Sequence, residues 1–572
     1  MKNCAQLVQQ HNLVPMALRK VQGTEVLWRS RADDDVGALD DAQFLDAFSR
    51  VVPNGFFADA TRFHDDLETG FAERYGGVGI GCNGGGARVA NLRGVQIKGV
   101  GANALAGRDA PRSHSYGGLD LESAAKEIVY STLLNRISPV GAQKIHGLIL
   151  LDRESAEHEA GRACSVLLVR EPGVRPAHFL PCTDFRPKPE FKSVLRSDFS
   201  RIRNIYTSIP REGGLSEFYV FVQDFLDRAA DQLSYFRMAR ISHNALVPSN
   251  FLVDGRVMDT SLCSFVVAGH NYGQVTSYFE EPNVPLQVVG EMFHQVRKFT
   301  QSKVSVQHFA DLYLERFRQF SCLNTGFLFG IGRALAAKFS TSVEWRKVSA
   351  RLQSIVVLGR GEKSHKLPTV DLPDVASDML AASLYSLVSG IPIGKGGKFI
   401  TGLADDLRAL VDRLFHAYEE HFGSRATFVN VFAVQTLKRA FLSSYFFITY
   451  IGKAVDDAGR HGDVGTVLEI VRASERLSEW IFEDITDCKC TLFRNDALQV
   501  YFDGATASFG VRQAGGGEER VMDAATFVRY VAAERARFGV HGYDFAPFLM
   551  ELGAFFGLSP AASFRGTKNV FS

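Results

Sequence analysis

The stretch 74–101, RYGGVGIGCNGGGARVANLRGVQIKGVG, carries ten glycines, three of them in a literal G-x-G-x-x-G at Gly79, Gly81 and Gly84. A run this rich in glycine disfavours helix and permits backbone conformations closed to other residues. A dinucleotide fingerprint needs a buried strand before its glycines and a helix after them. Here the preceding DDLETGFAER is too charged for the centre of a parallel sheet. The following ARVANLRGVQIKG alternates apolar and polar residues at strand period. The stretch therefore reads as strand, glycine loop, strand. Two readings stay open for the loop: it lies over nucleotide phosphates with exposed backbone N–H groups, or it is a glycine-rich turn without a ligand.

The 572 residues are enough for two or more substructures. Hydrophobic content near half and a net charge of +1 fit a soluble globular protein, with no global attraction to nucleic acid or to a membrane surface. MKNCAQLVQQHNLVP contains no apolar signal segment, and the most apolar run, FLSSYFFITYIG (441–452), is too short to span a bilayer. The eight cysteines are scattered, as in a reducing compartment; DCKC (487–490) is one residue short of a redox C-x-x-C and has no zinc-spaced partner nearby. The expected compartment is the cytoplasm.

The order of segments predicts an α+β architecture. An acidic, helix-prone patch (DDDVGALDDAQFLDAFSRVV) precedes the glycines, and an amphipathic helix follows over 118–138, with Leu121, Ala124, Ala125 and Ile128 on its stripe and Glu122 and Lys126 away from it. HGLILL (146–151) and SVLLVR (165–170) read as a strand hairpin, and LPCTDFRPKPEF (180–191) as a joint. The expected division is a β-rich lobe over 1–185, a helical lobe over 186–360 and a mainly helical region over 361–572. A polar linker lies at 359–374, a second break at 390–398 and a terminal hairpin near 490–513.

Four groups of residues could carry chemistry. Lys98 in VQIK stands on the strand after the glycine loop, where protein kinases place a phosphate-binding lysine, and Glu127 in AAKEIV is its natural partner on the next helix. The plainer alternative is a surface lysine and a solvated glutamate. Arg170 and Arg175 close the hairpin of the same lobe, as phosphate ligands or as ordinary turn residues. Asn250 and Asp259 bracket FLVDGRVM, a hairpin with its turn at Asp254–Gly255. An Asn and an Asp so placed match the magnesium ligands of kinases; otherwise they are a turn residue and a cap.

Taken together, these motifs resemble the selenoprotein O family, kinase-fold proteins that act as protein adenylyltransferases. YGGVGIGCNGGGARVANLRGVQIKGVG is similar to that family's Y-x-G-H-Q-F-G…G-D-G-R-A…Q-L-K-G-A-G, and KEIVYSTLL to R-E-F-x-x-S-E. VLLVREPGVRPAHF resembles R-V-A-P-S-x-x-R-x-G-x-F with two residues fewer, and HNALVPSNFLVDGRVMDTSLCSF resembles H-G-x-x-N-T-D-N…G-x-x-x-D-Y-G-P-F-G-F. The likeness runs over roughly residues 15–300. It implies a bilobal, protein-kinase-like fold with a small β-rich lobe and a large helical one. It implies that Gly85, Gly86, Arg88, Lys98, Arg170 and Arg175 bind ATP, that Glu127 holds Lys98, and that Asn250 and Asp259 hold Mg²⁺, or Mn²⁺ in its place. The implied activity is transfer of AMP to a hydroxyl of a protein or peptide, with γ-phosphoryl transfer, or ATP binding by an inactive partner in a modification complex, as alternatives. Three departures stand out. Ser249 occupies the place of the family's proposed base, TSL replaces the glycine motif after Asp259, and the last residues, KNVFS, lack the redox-active cysteine or selenocysteine.

Overall fold

The structure is a computed structural model that describes residues 2–557, apart from 31–33, 54–61, 112–114, 156–162, 194, 196, 213, 267–270, 274, 358–374, 393–397 and 515–518. After helix α1 (Lys2–Asn12), the N-terminal region forms an eight-stranded sheet. Its strands are β1 (Leu13–Val21), β2 (Glu25–Arg29), β3 (Arg50–Val51), β4 (Phe63–Glu73), β5 (Val89–Leu92), β6 (Val95–Lys98), β7 (Ile145–Ser155) and β8 (Ala163–Arg170). They run in the order β2-β7-β8-β6-β5-β4-β1-β3, every neighbouring pair antiparallel.

The strand–loop–strand reading of the glycine stretch holds, with one refinement. ARVANLRGVQIKG is not one strand but the tight hairpin β5–β6. Arg93 and Gly94 both adopt positive φ (50° and 79°), as a two-residue turn matched to strand twist requires. The expected hairpin at 146–170 is β7–β8, paired from Ile145↔Arg170 to Ser155↔Ala163.

Period-two alternation divides the sheet between two cores. Ile97, Leu167, Val169 and Ile149 face α2 (Asp41–Phe48), against Phe44 and Phe48. Val166, Leu168, Leu148 and Leu150 face α3 (Leu121–Ile137) and the main core. Gln96, Lys98 and Arg170 stand in register on the strands of this second face, through the pairs Gln96↔Arg170 and Lys98↔Leu168. Helix α3 begins at Asp120, whose side chain accepts from the Ser123 N–H at 2.6 Å. Buried residues lie around more of the helix than the one apolar stripe, because both sides are covered. Lys126, expected to face away from the core, donates to Asp456 at 2.7 Å, and the Tyr130 hydroxyl donates to the Phe446 carbonyl at 2.9 Å.

The remainder is largely helical. Helices α4 (Asp198–Glu212) and α5 (Gly214–Ala239) lead to the short pair β9 (Ile241–Ser242) and β10 (Ser264–Phe265), which flank the 243–263 loop. Then come α6 (Val284–Thr300), α7 (Val306–Asn324), α8 (Gly326–Phe329), α9 (Arg333–Phe339), α10 (Val343–Ile355), α11 (Val375–Ser389), α12 (Lys398–Phe422) and α13 (Arg425–Leu442). Helices α14 (Lys453–Arg460) and α15 (Val464–Ile481) follow. The hairpin expected near 490–513 is instead part of a four-stranded meander, β11 (Lys489–Arg494), β12 (Leu498–Asp503), β13 (Ser508–Gln513) and β14 (Arg520–Met522). Helices α16 (Ala524–Ala533) and α17 (Ala546–Gly557) complete the described chain. The 359–374 linker lies outside the described residues, as does 393–397 of the second break. Among the described residues no helix is long and apolar enough to cross a membrane.

Candidate functional site

Lys98 ends β6 buried beneath the sheet, and the second turn of α3 brings Glu127 to it: Nζ to Oε2 is 2.7 Å. Neither is the solvated surface residue of the plainer reading. Arg170, at the end of β8, reaches the other oxygen of Glu127 at 2.5 Å. From the 241–265 loop, Asp259 enters between them, with Oδ1 2.5 Å from Lys98 and 2.8 Å from Arg170. Two carboxylates thus clamp two cations, in a region where unpaired charge would be costly.

The loop is shaped to deliver Asp259. Phe251 bridges to Val257, and the Leu252 N–H donates to the Arg256 carbonyl around the Asp254–Gly255 turn, so the hairpin read from the sequence is present. The Met258 N–H donates to the Asn250 carbonyl at 3.0 Å, which brings the two ends of the hairpin together. His243, buried, contacts the Met258 carbonyl through Nε2 at 2.8 Å. Asp259 itself is left-handed (φ 55°), a conformation Asp tolerates better than most residues. Thr260 Oγ1 then donates to the Glu127 carbonyl at 3.1 Å and ties the loop to α3.

Arg175, from the 171–179 segment, is also buried. It donates to the main-chain oxygen of Ser249 at 2.6 Å, lies 4.7 Å from the Tyr75 ring, and stands 3.8 Å from Asp259 Oδ2. Sequence reasoning missed what stands behind both arginines. Gln96 Oε1 accepts from Arg170 Nε at 2.8 Å and from Arg175 Nη2 at 3.4 Å, while Gln96 Nε2 donates to Glu73 Oε1 at 3.0 Å. Glu73 Oε2 lies 3.6 Å from Arg175 Nε and 3.7 Å from His178 Nε2. Strand period was the signal that could have found Gln96, since it stands two residues from Lys98 on the same face.

The fields follow from the geometry. Burial works to raise the Asp259 carboxyl, but Arg170, Lys98 and Arg175 overcome it and hold the group well below the usual carboxylate range. Burial likewise opposes ionisation of Glu73, yet His178 and Arg175 bring it down to about 2. Burial lowers His178 below the usual imidazole value. Arg170 is raised, its desolvation outweighed by Asp259 and Glu127.

The glycine loop is closed in part from within. The Gly86 N–H donates to the Glu73 carbonyl at 2.9 Å, so it is spent on closing the loop rather than left exposed. Gly85 (φ 138°) passes so close to Glu73 that a Cβ would sit 2.2 Å from its carbonyl oxygen. Arg88 donates to the Gly118 carbonyl at 3.0 Å, on the approach to α3. It is Gly79 (φ 94°), at the start of the G-x-G-x-x-G, that lies over the 243–250 loop. A Cβ there would be 2.8 Å from Val247, three residues before Asn250.

Asn250 and Asp259 supply an amide and a carboxylate oxygen. The Asn250 Nδ2 donates to the Ala245 carbonyl at 3.0 Å, which fixes the amide's orientation and keeps Oδ1 as its acceptor atom. Such a pair suits Mg²⁺ or Mn²⁺, hard cations that take one or two protein oxygens and the rest from phosphate and water. Among the described residues no cluster of three or more His, Cys, Asp or Glu forms a metal cage. A cavity of about 640 Å³ lies on the other side of Glu73 and His178, walled by Phe71, Leu92, Val95, Pro172, Val174 and Leu252. No protein-family model matches the chain, and no curated protein is significantly similar to it.

Proposed function

We propose that the chain is a kinase-like, ATP- and metal-dependent nucleotidyltransferase that moves AMP from ATP to a hydroxyl of a protein or peptide. The observation that carries this reading is the convergence of Lys98, Arg170 and Arg175 on Glu127 and Asp259 from separate segments. A lysine on the third strand of a glycine-loop sheet, paired to a glutamate of the next helix, is the nucleotide grip of protein kinases. The two added arginines distinguish this site, because three clustered cations match the charge of a leaving pyrophosphate. Asp259 and Asn250 would hold Mg²⁺, which supplies charge neutralisation on the phosphates.

In the transfer, the acceptor oxygen bonds to the α-phosphorus, the bond to pyrophosphate breaks, and the hydroxyl proton passes to solvent. Ser249 offers no carboxylate to take that proton, so positioning and charge carry the rate. A second reading, γ-phosphoryl transfer, draws on the same Lys98–Glu127 pair, which is the nucleotide grip of protein kinases.

Incubation of the purified chain and candidate acceptors with α- and γ-labelled ATP separates the two, with intact-mass spectrometry of the products. Label from the α-position alone, with a mass gain of AMP, is the expected result. Label from the γ-position alone establishes the kinase reading, and binding of ATP with neither label transferred establishes a non-catalytic partner.

A further inference from the structure

Gln96 is fully buried, and its amide is oriented by what surrounds it. Nε2 donates to Glu73 Oε1, an oxygen that also accepts from Asn91 Nδ2 at 2.7 Å. Turned the other way, the amide would aim its N–H₂ at two guanidinium groups, which accept nothing. Oε1 is therefore the shared acceptor of Arg170 and Arg175. Among the described residues, Gln96 and Asp259 are the side chains recorded in contact with both arginines, and only Gln96 does so without charge. A neutral oxygen sets the separation of two arginines and cancels neither. A carboxylate in its place would also hold them, but would remove charge meant for the ligand.

We infer that Gln96 is a positioning residue that holds Arg170 and Arg175 at the spacing of two adjacent phosphates, so that the site prefers nucleoside di- and triphosphates over monophosphates. The inference rests on the nucleotide reading above. The anchoring runs in one direction. Asn91 and Gln96 donate to Glu73, Glu73 orients the Gln96 amide, and Gln96 receives the arginines. Arg170 is held besides by the two site carboxylates, and Arg175 by the Ser249 carbonyl, the Tyr75 ring and, at longer range, Glu73 and Asp259. Asp259 also touches both arginines, but a metal ion that drew Asp259 away would leave Gln96 as their one shared acceptor among the described residues.

The test is calorimetric titration of the full chain with ATP, ADP and AMP, each with Mg²⁺, in wild type, Gln96→Met and Gln96→Glu. Met keeps the volume and deletes the shared oxygen; Glu keeps the shape and adds a charge. Both variants are expected to lose roughly tenfold or more in ATP and ADP affinity while AMP affinity stays put. Unchanged AMP binding reports an intact fold, and if the Met variant fails to fold, the Glu variant carries the same comparison. An ATP-to-AMP affinity ratio equal to wild type in the folded variants overturns the inference, since a packing role alone would leave that ratio alone. Wild type that binds no ATP overturns the nucleotide reading itself, a different result from wild-type binding with indifferent variants.

Discussion

Asp259 shows how a single carboxylate both completes and blocks a site. Its Oδ1 lies within hydrogen-bonding reach of Lys98 and Arg170, the cations that the phosphates would need. A divalent ion that took over Asp259, as proposed, would free them. Free ATP, lacking the metal, must instead compete with a carboxylate already in place. Asp259→Asn is therefore expected to bind ATP more tightly than wild type in the presence of EDTA, by about tenfold, and to lose the benefit of Mg²⁺. Asn also tolerates the left-handed backbone, so the variant tests charge rather than strain. Calorimetry with and without metal reads this out, and metal-free binding no better than wild type would remove Asp259 from this role. Ser249 stands at the opposite extreme. Its main-chain oxygen, not its hydroxyl, receives Arg175, so Ser249→Ala should leave ATP binding and turnover within about twofold of wild type. A tenfold loss of turnover would show that the hydroxyl takes part in the chemistry after all.

Among the elements, those with local signals were legible and those made by distant partners were not. Helix α3 announced itself through its apolar spacing, β7–β8 through two apolar runs, and the Asp254–Gly255 turn through its residues. The sequence also put Lys98, Glu127, Arg170, Arg175, Asn250 and Asp259 forward one by one. Strand period places Gln96 on the face of Lys98, but its meeting with Arg170, and Glu73 behind it, are made by the pairing of β6 with β8 and by a contact from β4. Nor could the sequence foresee that the Gly84 and Gly86 N–H groups would be used within the protein, on the Leu105 and Glu73 carbonyls. The 243–250 loop has a support of the same hidden kind. Glu281, buried in the turn before α6, accepts from Ser242 Oγ at 2.8 Å and the Asn244 N–H at 2.7 Å. Burial outweighs these donors and Arg237, and lifts its carboxyl from 4.5 to about 7. A carboxyl raised in the folded state contributes stability below the unfolded value and loses it as pH climbs through the folded one. That loss is on the order of 3 kcal/mol between pH about 4.5 and 7. Thermal midpoints should accordingly fall from pH 5 to pH 8 for wild type and stay flatter for Glu281→Gln. Parallel pH profiles for the two proteins would show that Glu281 is not the titrating group.

At the scale of the molecule, the C-terminal region is a structural part of the site. It covers the outer side of α3, the helix that carries Glu127. Lys126 pairs with Asp456 at 2.7 Å, Arg136 with Glu479 at 3.3 Å, and the Tyr130 hydroxyl with the Phe446 carbonyl, in each case across more than three hundred residues. The apolar residues of α3, α13 and α15 and of the C-terminal meander belong to one continuous core. Burial without a boundary couples the free energies of the parts, since opening either one strands apolar surface of the other. The described chain should therefore unfold in a single calorimetric transition, despite the division suggested by the sequence. Mg-ATP at about a hundredfold over its dissociation constant adds roughly 2.7 kcal/mol to whatever unfolds with the site. One cooperative unit predicts that this raises the whole transition, and that Lys98→Ala abolishes the rise. Two transitions, of which ATP moves only the one containing the sheet, would mean that the C-terminal region rests on α3 without holding it. In that case Lys126→Ala would leave ATP affinity untouched, whereas a region that does hold the helix requires the affinity to fall.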